Sequence, residues 1–338
     1  MHEHFSNNSQ IISVVGATGL VGSKLVRILS DSDLKIEQLH LFSRFPKPVH
    51  FRHNIIATKP LQTELIRQSN IVFNCANEQV ANELKPMLGK HTYLIDKSSA
   101  FRQTSPLIVP PINQHLIKTS KIISSPNCIA IPLALSLHPL LKLTNIELCC
   151  VTTYQSVSGA GAQGLKALAY EQKDLDLQIE EQKNFFGRSI VQNIIPQIGP
   201  IDDQLSSSEE RKIAYETCKI LDKKFVIHAN CARVGVPIGH SAFVTVLLAQ
   251  AVPFEKLEKA LSDSECIVYI AGGDRYLTPK DIVGEDFCVV SRLRINPDNP
   301  KLISFWFVCD NLNKGAAFNA FEIAQNIISN LNKVKKDN

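Results

Sequence analysis

Cys128 is the side chain of this protein best placed to act as a nucleophile. It follows a short β-branched run and stands where an apolar helical pattern begins that reaches Leu141. At a helix N-terminus, unpaired backbone N–H groups and the positive end of the helix dipole favour a thiolate over a thiol. Most free cysteines are instead buried and unreactive, so this interpretation depends on the residues that accompany Cys128.

A glycine-rich turn near the N-terminus predicts a nucleotide site. Its glycines follow the strand-like run 11–15 and precede a helical pattern. Glycines at this spacing let the backbone turn tightly against a pyrophosphate, whose charge the helix N-terminus meets. A purely structural turn is the alternative. The residues expected to contact the cofactor here are Gly16, Ala17, Thr18, Gly19, Leu20, Val21 and Gly22.

The second strand-like run ends at Ser43 and Arg44. NAD-specific proteins usually carry an acidic residue at this place, which binds the ribose 2′-hydroxyl. A hydroxyl and a guanidinium suit a 2′-phosphate better. The segment therefore predicts NADP, against the alternative of a surface arginine.

A thiolate beside a nicotinamide cofactor can attack an aldehyde, pass a hydride and leave a thioester, and the reverse sequence reduces an acyl phosphate. His240 is the candidate proton shuttle, because imidazole titrates near neutral pH. Arg233 lies seven residues upstream, and its planar fork suits a bidentate carboxylate contact. A packed or surface histidine and a plain surface salt bridge are the alternatives for these two residues.

Two patterns of elements are expected to position these residues. The first 125 residues alternate short apolar or β-branched runs with helical patterns, which predicts a parallel sheet with helices on both faces. From about residue 146 the strand-like runs are longer, which predicts a mostly antiparallel sheet with helices on one face. Ser207 to Glu210 has the pattern of a helix capping box. A helix from Lys314 to Leu331 is expected to pack on the first domain.

Composition excludes several classes of function. With 338 residues, 20% of them charged, and a net charge of +4, the chain suits a globular protein of about two domains. The sequence has no stripe of basic residues, so nucleic-acid binding is not expected. No apolar stretch reaches the ~20 residues that are needed to cross a bilayer. The N-terminus has no export signal, so we expect a cytoplasmic protein. The nine cysteines form no C-x-x-C pair, which predicts reduced thiols and no metal site.

Several blocks, taken together and in order along the chain, resemble aspartate-β-semialdehyde dehydrogenases. The blocks are residues 16–22, 98–102, 126–128, 153–161, 193–198, 209–221, 233–241 and 310–317.

The resemblance implies NADPH-dependent reductive dephosphorylation of 4-phospho-L-aspartate to L-aspartate-4-semialdehyde and phosphate through a cysteine thioacyl intermediate. This is a step toward lysine (through diaminopimelate), threonine and methionine. It implies a homodimer that binds small-molecule substrates. Cys128 would be the nucleophile and His240 the acid/base. Gln155 would orient the thioacyl group, Arg233 would hold the substrate carboxylate, and Glu209 would contact the amino group.

Further site residues follow from the same resemblance. Arg102, Asn127 and Lys212 would form the phosphate site, and Ser158, Gly159 and Asn311 would contact the cofactor. Gln155 and Asn127 could instead be turn formers. Glu209 could only complement the helix dipole or pair with Lys212, three residues later on the same helix.

The resemblance also implies the fold class. We expect an α/β protein with a Rossmann-type parallel-sheet NADP domain plus an α+β domain like that of glyceraldehyde-3-phosphate dehydrogenase, with a mostly antiparallel sheet. Residues 1–127, completed by helix 314–338, would bind NADP, and residues 128–313 would carry catalysis and dimerisation.

Some positions depart from the family pattern. Ile129 and Ala130 replace the usual Ser and Thr after the nucleophile, Lys97 replaces Asn, and Gly235 replaces Pro. An N-acetyl-glutamyl-phosphate reductase is the nearest enzymatic alternative. A non-catalytic NADP-binding paralogue is the alternative from another class.

Overall fold

The computed structural model describes residues 9–176 and 185–336. The strands of this part of the chain are β1 (Gln10–Val15), β2 (Ile36–Phe42), β3 (Pro48–Phe51), β4 (Asn54–Ala57), β5 (Ile71–Asn74), β6 (Tyr93–Asp96), β7 (Ile122–Ser124), β8 (Ile146–Gln155), β9 (Ile194–Ile195), β10 (Val226–Val234), β11 (His240–Leu248), β12 (Val268–Tyr269), β13 (Cys288–Asn296) and β14 (Asn299–Cys309). The α-helices are α1 (Leu20–Asp31), α2 (Thr63–Gln68), α3 (Glu78–Leu84), α4 (Pro110–Asn113), α5 (Ala130–Leu141), α6 (Gly161–Asp176), α7 (Ser208–Leu221), α8 (Phe254–Ser262) and α9 (Phe318–Lys336). The chain divides into two compact units, residues 1–126 with 316–338 and residues 127–315.

The first unit is built on a five-stranded sheet in the order β2-β1-β5-β6-β7. Every pairing in it is parallel, as the alternation of runs predicts. β1 and β5 are buried over nearly their whole length because helices cover both faces of such a sheet. On one face, Leu25 of α1 and Phe321 of α9 share a core with Ile12 and Val14. Packing of the helices on the sheet fixes the positions of the carboxyl ends of its strands. Open parallel sheets bind ligands at these ends.

The hairpin of β3 and β4 was not predicted from the sequence. Its strands are four residues each and mostly exposed, which is too short for the hydrophobic pattern of a strand to stand out. Arg52 makes the turn with a φ of 52°. The hairpin follows directly on the segment expected to bind the 2′-phosphate.

The second unit is built on a seven-stranded sheet in the order β12-β13-β14-β11-β8-β10-β9. Among the described strands of this second sheet, only the pairs β8 with β10 and β12 with β13 are parallel. The sheet is therefore mostly antiparallel, as predicted. Helices α5, α7 and α8 pack on one face. β8, β10 and β11 each bring one predicted site residue to the same end of this sheet.

The opposite face of this sheet presents half-exposed aromatic side chains. Trp306 lies 4.8 Å from Phe243 and 6.1 Å from Tyr154 between ring centroids. Residues that alternate with them, such as Val151, Val244 and Phe305, are fully buried against the helices. This alternation is what a sheet with one covered face requires. No helix among the described residues is long and apolar enough to cross a membrane.

Candidate active site

Asn127 fixes the backbone at the start of the predicted nucleophile helix. Its Oδ1 accepts the N–H of Ile129 at 2.8 Å and of Ala130 at 3.4 Å, just before α5 begins. Ile129 and Ala130 are themselves fully buried. The hydroxyls that the family usually carries at these two positions are therefore not needed as helix caps. Cys128 lies between the cap and the helix and is half-buried.

Helix α7 holds Asn127 by two carboxylates. Oε2 of Glu216 accepts the backbone N–H of Asn127 at 2.6 Å, and Oε1 of Glu209 accepts its side-chain amide at 2.9 Å. Glu216 is 2% exposed and was not predicted as a site residue. The helix itself begins with the predicted capping box between Ser207 and Glu210. The segment that contains Cys128 is thus attached to α7 through both the backbone and the side chain of Asn127.

Glu209 also joins Asn127 to Gln155. Gln155 ends β8, is 1% exposed, and donates from Nε2 to the same Oε1 of Glu209 at 3.0 Å. Both side chains thus bond to helix α7, and their roles toward a substrate stay a prediction. In the described part of the chain the Glu209 carboxylate bonds to these two amides, and no ion pair joins it to Lys212. Lys212 lies half-buried on the next turn of α7.

Arg233 lies beside these groups and is 6% exposed. It is the register partner of Gln155 in the parallel pair of β10 and β8. Its Nη1 donates to the carbonyl of Ser156 at 2.8 Å. Burial lowers the pKa of Arg233, and the negative charges of Glu209 and Cys128 oppose that shift. The buried guanidinium thus interacts electrostatically with Cys128 and Glu209, and no ion pair joins it to a carboxylate in the described part of the chain. A guanidinium in this position suits an anionic ligand.

His240 begins β11 and is fully buried. Its Nδ1 accepts the backbone N–H of Ser156 at 3.1 Å and lies 3.0 Å from the hydroxyl of the same residue. Its Nε2 is buried and has no hydrogen-bond partner among the described residues. Burial, and then the positive charge of Arg233, hold the pKa of His240 well below its usual value. The imidazole is therefore neutral at physiological pH.

Nε2 of His240 and the guanidinium of Arg233 both lie next to the space that the missing side chain of Gly159 leaves open. A Cβ on this glycine would lie 2.8 Å from Nη1 of Arg233 and 3.2 Å from Nε2 of His240. Only glycine leaves this space open. The unpartnered nitrogen and the guanidinium thus line the same small gap.

Ser158 and Asn311, which were predicted to contact the cofactor, form a buried polar network behind His240. Oδ1 of Asn311 accepts the N–H of Gly239 at 2.9 Å and the hydroxyl of Ser156 at 3.1 Å. Its Nδ2 donates to Ser158 at 3.0 Å. This network fixes Gly239, the residue before His240, and the cofactor contacts of Ser158 and Asn311 stay a prediction.

Two family models match the chain, a semialdehyde dehydrogenase NAD binding domain over residues 11–120 and a semialdehyde dehydrogenase dimerisation domain over residues 137–314. The aspartate-semialdehyde dehydrogenase of Rickettsia conorii is 37% identical over 330 residues, 94% of this chain and 98% of that protein. The chain belongs to the aspartate-semialdehyde dehydrogenase family. Aspartate-semialdehyde dehydrogenase 2 of Vibrio cholerae is 31% identical over 94% of this chain and 97% of its own length.

The solved structures agree with this family. Aspartate-semialdehyde dehydrogenase II of Vibrio cholerae complexed with ASA superposes with a TM-score of 0.90 at 29% identity, over 96% of this chain and 99% of that one. The same enzyme described without that ligand gives a TM-score of 0.89 over 95% and 99%. The chain thus has the family's fold over nearly its whole length.

The glycine turn of this chain has the geometry that a dinucleotide needs. Gly16 has a φ of 79°, which favours glycine. A Cβ on Gly22 would lie 2.1 Å from the carbonyl oxygen of Gly16. The backbone N–H of Gly16 donates to Phe42 at 2.9 Å, which fixes the turn at the end of the sheet. The residues present therefore fit a pyrophosphate against the N-terminus of α1.

The remaining predicted residues of the first unit lie in loops at or near strand ends. Ser43 is 2.6 Å from the hydroxyl of Thr58, and Arg44 beside it is exposed. Arg102 donates to the carbonyl of Lys97 at 2.9 Å. Nζ of Lys97, one of the departures from the family pattern, lies 3.2 Å from the carbonyl oxygen of Pro126. The replacement for Asn thus holds the chain two residues before the nucleophile.

Proposed function

We propose that this protein reduces 4-phospho-L-aspartate with NADPH to L-aspartate-4-semialdehyde and phosphate, through a thioester on Cys128. The observation that carries the proposal is the convergence of Cys128, Gln155, Arg233 and His240 within the second unit. A binding module has no use for this combination. Kinship with named aspartate-semialdehyde dehydrogenases supplies the substrate. We place the reaction in the cytoplasm, on the biosynthetic routes to lysine, threonine and methionine.

The proposed roles follow from the contacts. The thiolate of Cys128 attacks the acyl carbon, and phosphate leaves. Arg233 binds the substrate carboxylate with the guanidinium nitrogen that Ser156 does not use, and Glu209 binds the ammonium group through Oε2. Gln155 and His240 face the acyl group. NADPH, when bound, supplies the hydride that reduces the thioester.

Phosphate is proposed to bind at Arg102, Asn127 and Lys212. One N–H of the Asn127 amide is taken by Glu209 at 2.9 Å, which leaves the other for a phosphate oxygen. Lys212 is not paired with Glu209 in the described residues, so its ammonium charge is available to the substrate. Charged donors of this kind suit phosphate oxygens.

The cofactor is proposed to be NADP. Residues Gly16 to Gly22 would hold the pyrophosphate, and Ser43 with Arg44 the 2′-phosphate, since no carboxylate occupies the end of β2. Ser158, Gly159 and Asn311 would lie at the nicotinamide. Residues 1–127, completed by 314–338, would form the NADP-binding domain.

Residues 128–313 are proposed to form the catalytic and dimerisation domain of a homodimer. The half-exposed aromatic face of the second sheet, with Tyr154, Phe243 and Trp306, is the surface we assign to the partner. Clustered aromatic side chains are typical of the buried centres of interfaces.

A substrate comparison tests the proposed function. The protein is expected to oxidise aspartate semialdehyde in the presence of phosphate and NADP, because Arg233 and Glu209 fit a free carboxylate and a free ammonium group. It should turn over N-acetyl-glutamate semialdehyde at least ~10²-fold less efficiently, since acetylation removes the ammonium charge. Steady-state kcat/KM, followed by NADPH absorbance, measures both.

Two outcomes would contradict this assignment. Higher kcat/KM for the acetylated substrate would make the protein an N-acetyl-glutamyl-phosphate reductase. NADP binding without turnover of either aldehyde would make it a non-catalytic paralogue.

Gly159→Ala is expected to lower kcat/KM about 10²-fold, because its Cβ would displace the Arg233 guanidinium and the His240 ring. The backbone at this position needs no left-handed conformation, so the variant is expected to fold, and a thermal melt checks this. Gly273→Ala is the matched control, because no heavy atom lies within 4 Å of its Cβ. Equal losses in both variants would show that the gap at Gly159 has no role in the reaction.

A further inference from the structure

We propose that Thr153 is a positioning residue for the reaction, whose hydroxyl fixes the side-chain amide of Gln155 in the orientation that leaves one N–H for the acyl group. No role was predicted for Thr153 from the sequence. The proposal rests on the proposed function, which assigns Gln155 to the acyl group.

Strand geometry places Thr153 directly behind Gln155. The two residues lie two positions apart on β8, so their side chains share one face of the sheet. Their register partners on the parallel strand β10 are Cys231 and Arg233. Thr153 is fully buried and Gln155 is 1% exposed. The hydroxyl of Thr153 is thus held in the interior, one row further from the end of β8 than the amide.

Hydrogen bonds at both ends determine how the Gln155 amide lies. Its Nε2 donates to Oε1 of Glu209 at 3.0 Å, and an ionised carboxylate can only accept, so the nitrogen must face Glu209. The amide oxygen then faces Thr153, whose Oγ1 donates to it at 3.3 Å. Turning the amide over would place oxygen against a carboxylate and nitrogen against the hydroxyl. Glu209 and Thr153 together therefore exclude the flipped amide.

The neighbour of Thr153 on β10 leaves the hydroxyl proton to Gln155. Burial raises the pKa of Cys231 to about 12, and a hydrogen bond with Thr153 opposes that shift. The thiol therefore stays neutral near pH 7. A thiolate at this place would be a stronger acceptor than the amide oxygen and would draw the hydroxyl away. The protonated sulfur allows Thr153 to donate to Gln155.

The fixed amide has one N–H left to use. Nε2 carries two hydrogens, and Glu209 takes one of them. The second has no partner among the described residues, and we assign it to the acyl oxygen. Without the Thr153 hydroxyl, the buried Oε1 would lose its donor and the amide would be held at one end only. A small displacement of a group that contacts the reacting atoms is enough to slow a reaction.

Three variants test the hydroxyl. Thr153→Val removes it at nearly constant shape and is expected to lower kcat about 10-fold, whereas Thr153→Ser keeps it and should stay within about threefold of wild type. KM for aspartate semialdehyde should change less than about threefold, because the substrate contacts assigned to Arg233 and Glu209 remain. Thr217→Val is the matched control. Thr217 is also fully buried, on α7, but its hydroxyl has no partner in the described part of the chain.

A double variant tests whether Thr153 acts through Gln155. Gln155→Ala is expected to lose about 10²-fold in kcat, as for other donors to an acyl oxygen. Adding Thr153→Val to it should change kcat by no more than about twofold, because no amide is left to position. A further 10-fold loss in the double variant would overturn the proposal. So would equal losses in Thr153→Val and Thr217→Val, or a Thr153→Val enzyme as fast as wild type.

A measurement without turnover reports on the amide itself. In ¹H–¹⁵N spectra of glutamine-labelled protein, the side-chain signals of Gln155 are assigned by their loss in Gln155→Ala. Their hydrogens should exchange with water at least about 10-fold faster in Thr153→Val, and at the wild-type rate in Thr153→Ser and Thr217→Val. Unchanged exchange in Thr153→Val would contradict the proposal. Failure of the proposed function shows separately, as wild-type protein that does not turn over aspartate semialdehyde.

Discussion

Cys128→Ser is expected to reduce kcat by at least ~10⁴-fold, the order of loss seen when an enzyme loses its nucleophile. A serine hydroxyl is far less acidic than a cysteine thiol and is a much weaker nucleophile near neutral pH. The change is nearly isosteric, and the cap at Asn127 does not involve the sulfur. Steady-state turnover with aspartate semialdehyde, phosphate and NADP measures the loss.

NADPH affinity separates this effect from misfolding. Fluorescence titration should give a Kd within about twofold of wild type, because none of the proposed cofactor contacts uses the Cys128 side chain. Cys218→Ser serves as the control. That thiol is half-buried and donates to the carbonyl of Phe225, a bond that serine can also make. Residual turnover in Cys128→Ser above a hundredth of wild type would remove Cys128 as the nucleophile.

Arg233→Lys is expected to lower kcat/KM for aspartate semialdehyde by about 10²-fold or more. Lysine keeps the charge but cannot bind a carboxylate and the carbonyl of Ser156 at once, as the planar fork of Arg233 can. Losing one partner of a desolvated charge pair typically costs about 2–5 kcal/mol, which is roughly 30-fold to a few thousand-fold and includes the expected loss. The loss should appear in KM for the semialdehyde.

The KM values for phosphate and NADP test the selectivity of that effect. Both should stay within about threefold of wild type, since Arg233 is assigned to the substrate carboxylate alone. Arg211→Lys is the control, because Arg211 lies on α7, is exposed, and forms an ion pair with Asp202 away from the site. A uniform rise in all three KM values would show that Arg233 supports the structure and does not bind the carboxylate.

Sequence patterns predicted most of the architecture because its elements are locally determined. The apolar run 11–15 predicts a buried strand, and the glycines after it predict a tight turn. The structure has both. The sequence patterns did not predict the hairpin of β3 and β4, because it is short and exposed. Its formation depends on contacts such as that between Ser43 and Thr58, which no local pattern encodes.

The site was predicted less completely, for the same physical reason. The start of α5 after Cys128 follows from an apolar pattern, and the structure places it there. Glu216 gave no signal, because a glutamate on an amphipathic helix is expected to face solvent, and only the tertiary fold brings it to the backbone of Asn127. Ser156 donates to His240 through its main-chain N–H, a group that nearly every residue type has, so the sequence gives no sign of this contact.

Burial distributes the chemical reactivity of the nine cysteines unequally. It raises the pKa of Cys75 and of Cys231 to about 12, and it raises the pKa of Cys149, Cys218 and Cys266 as well. Thiols of this kind stay protonated in the cell and react slowly with peroxides or electrophiles. Oxidation of the half-buried Cys128, the proposed nucleophile, would therefore cost the enzyme more than oxidation of any of these protected thiols.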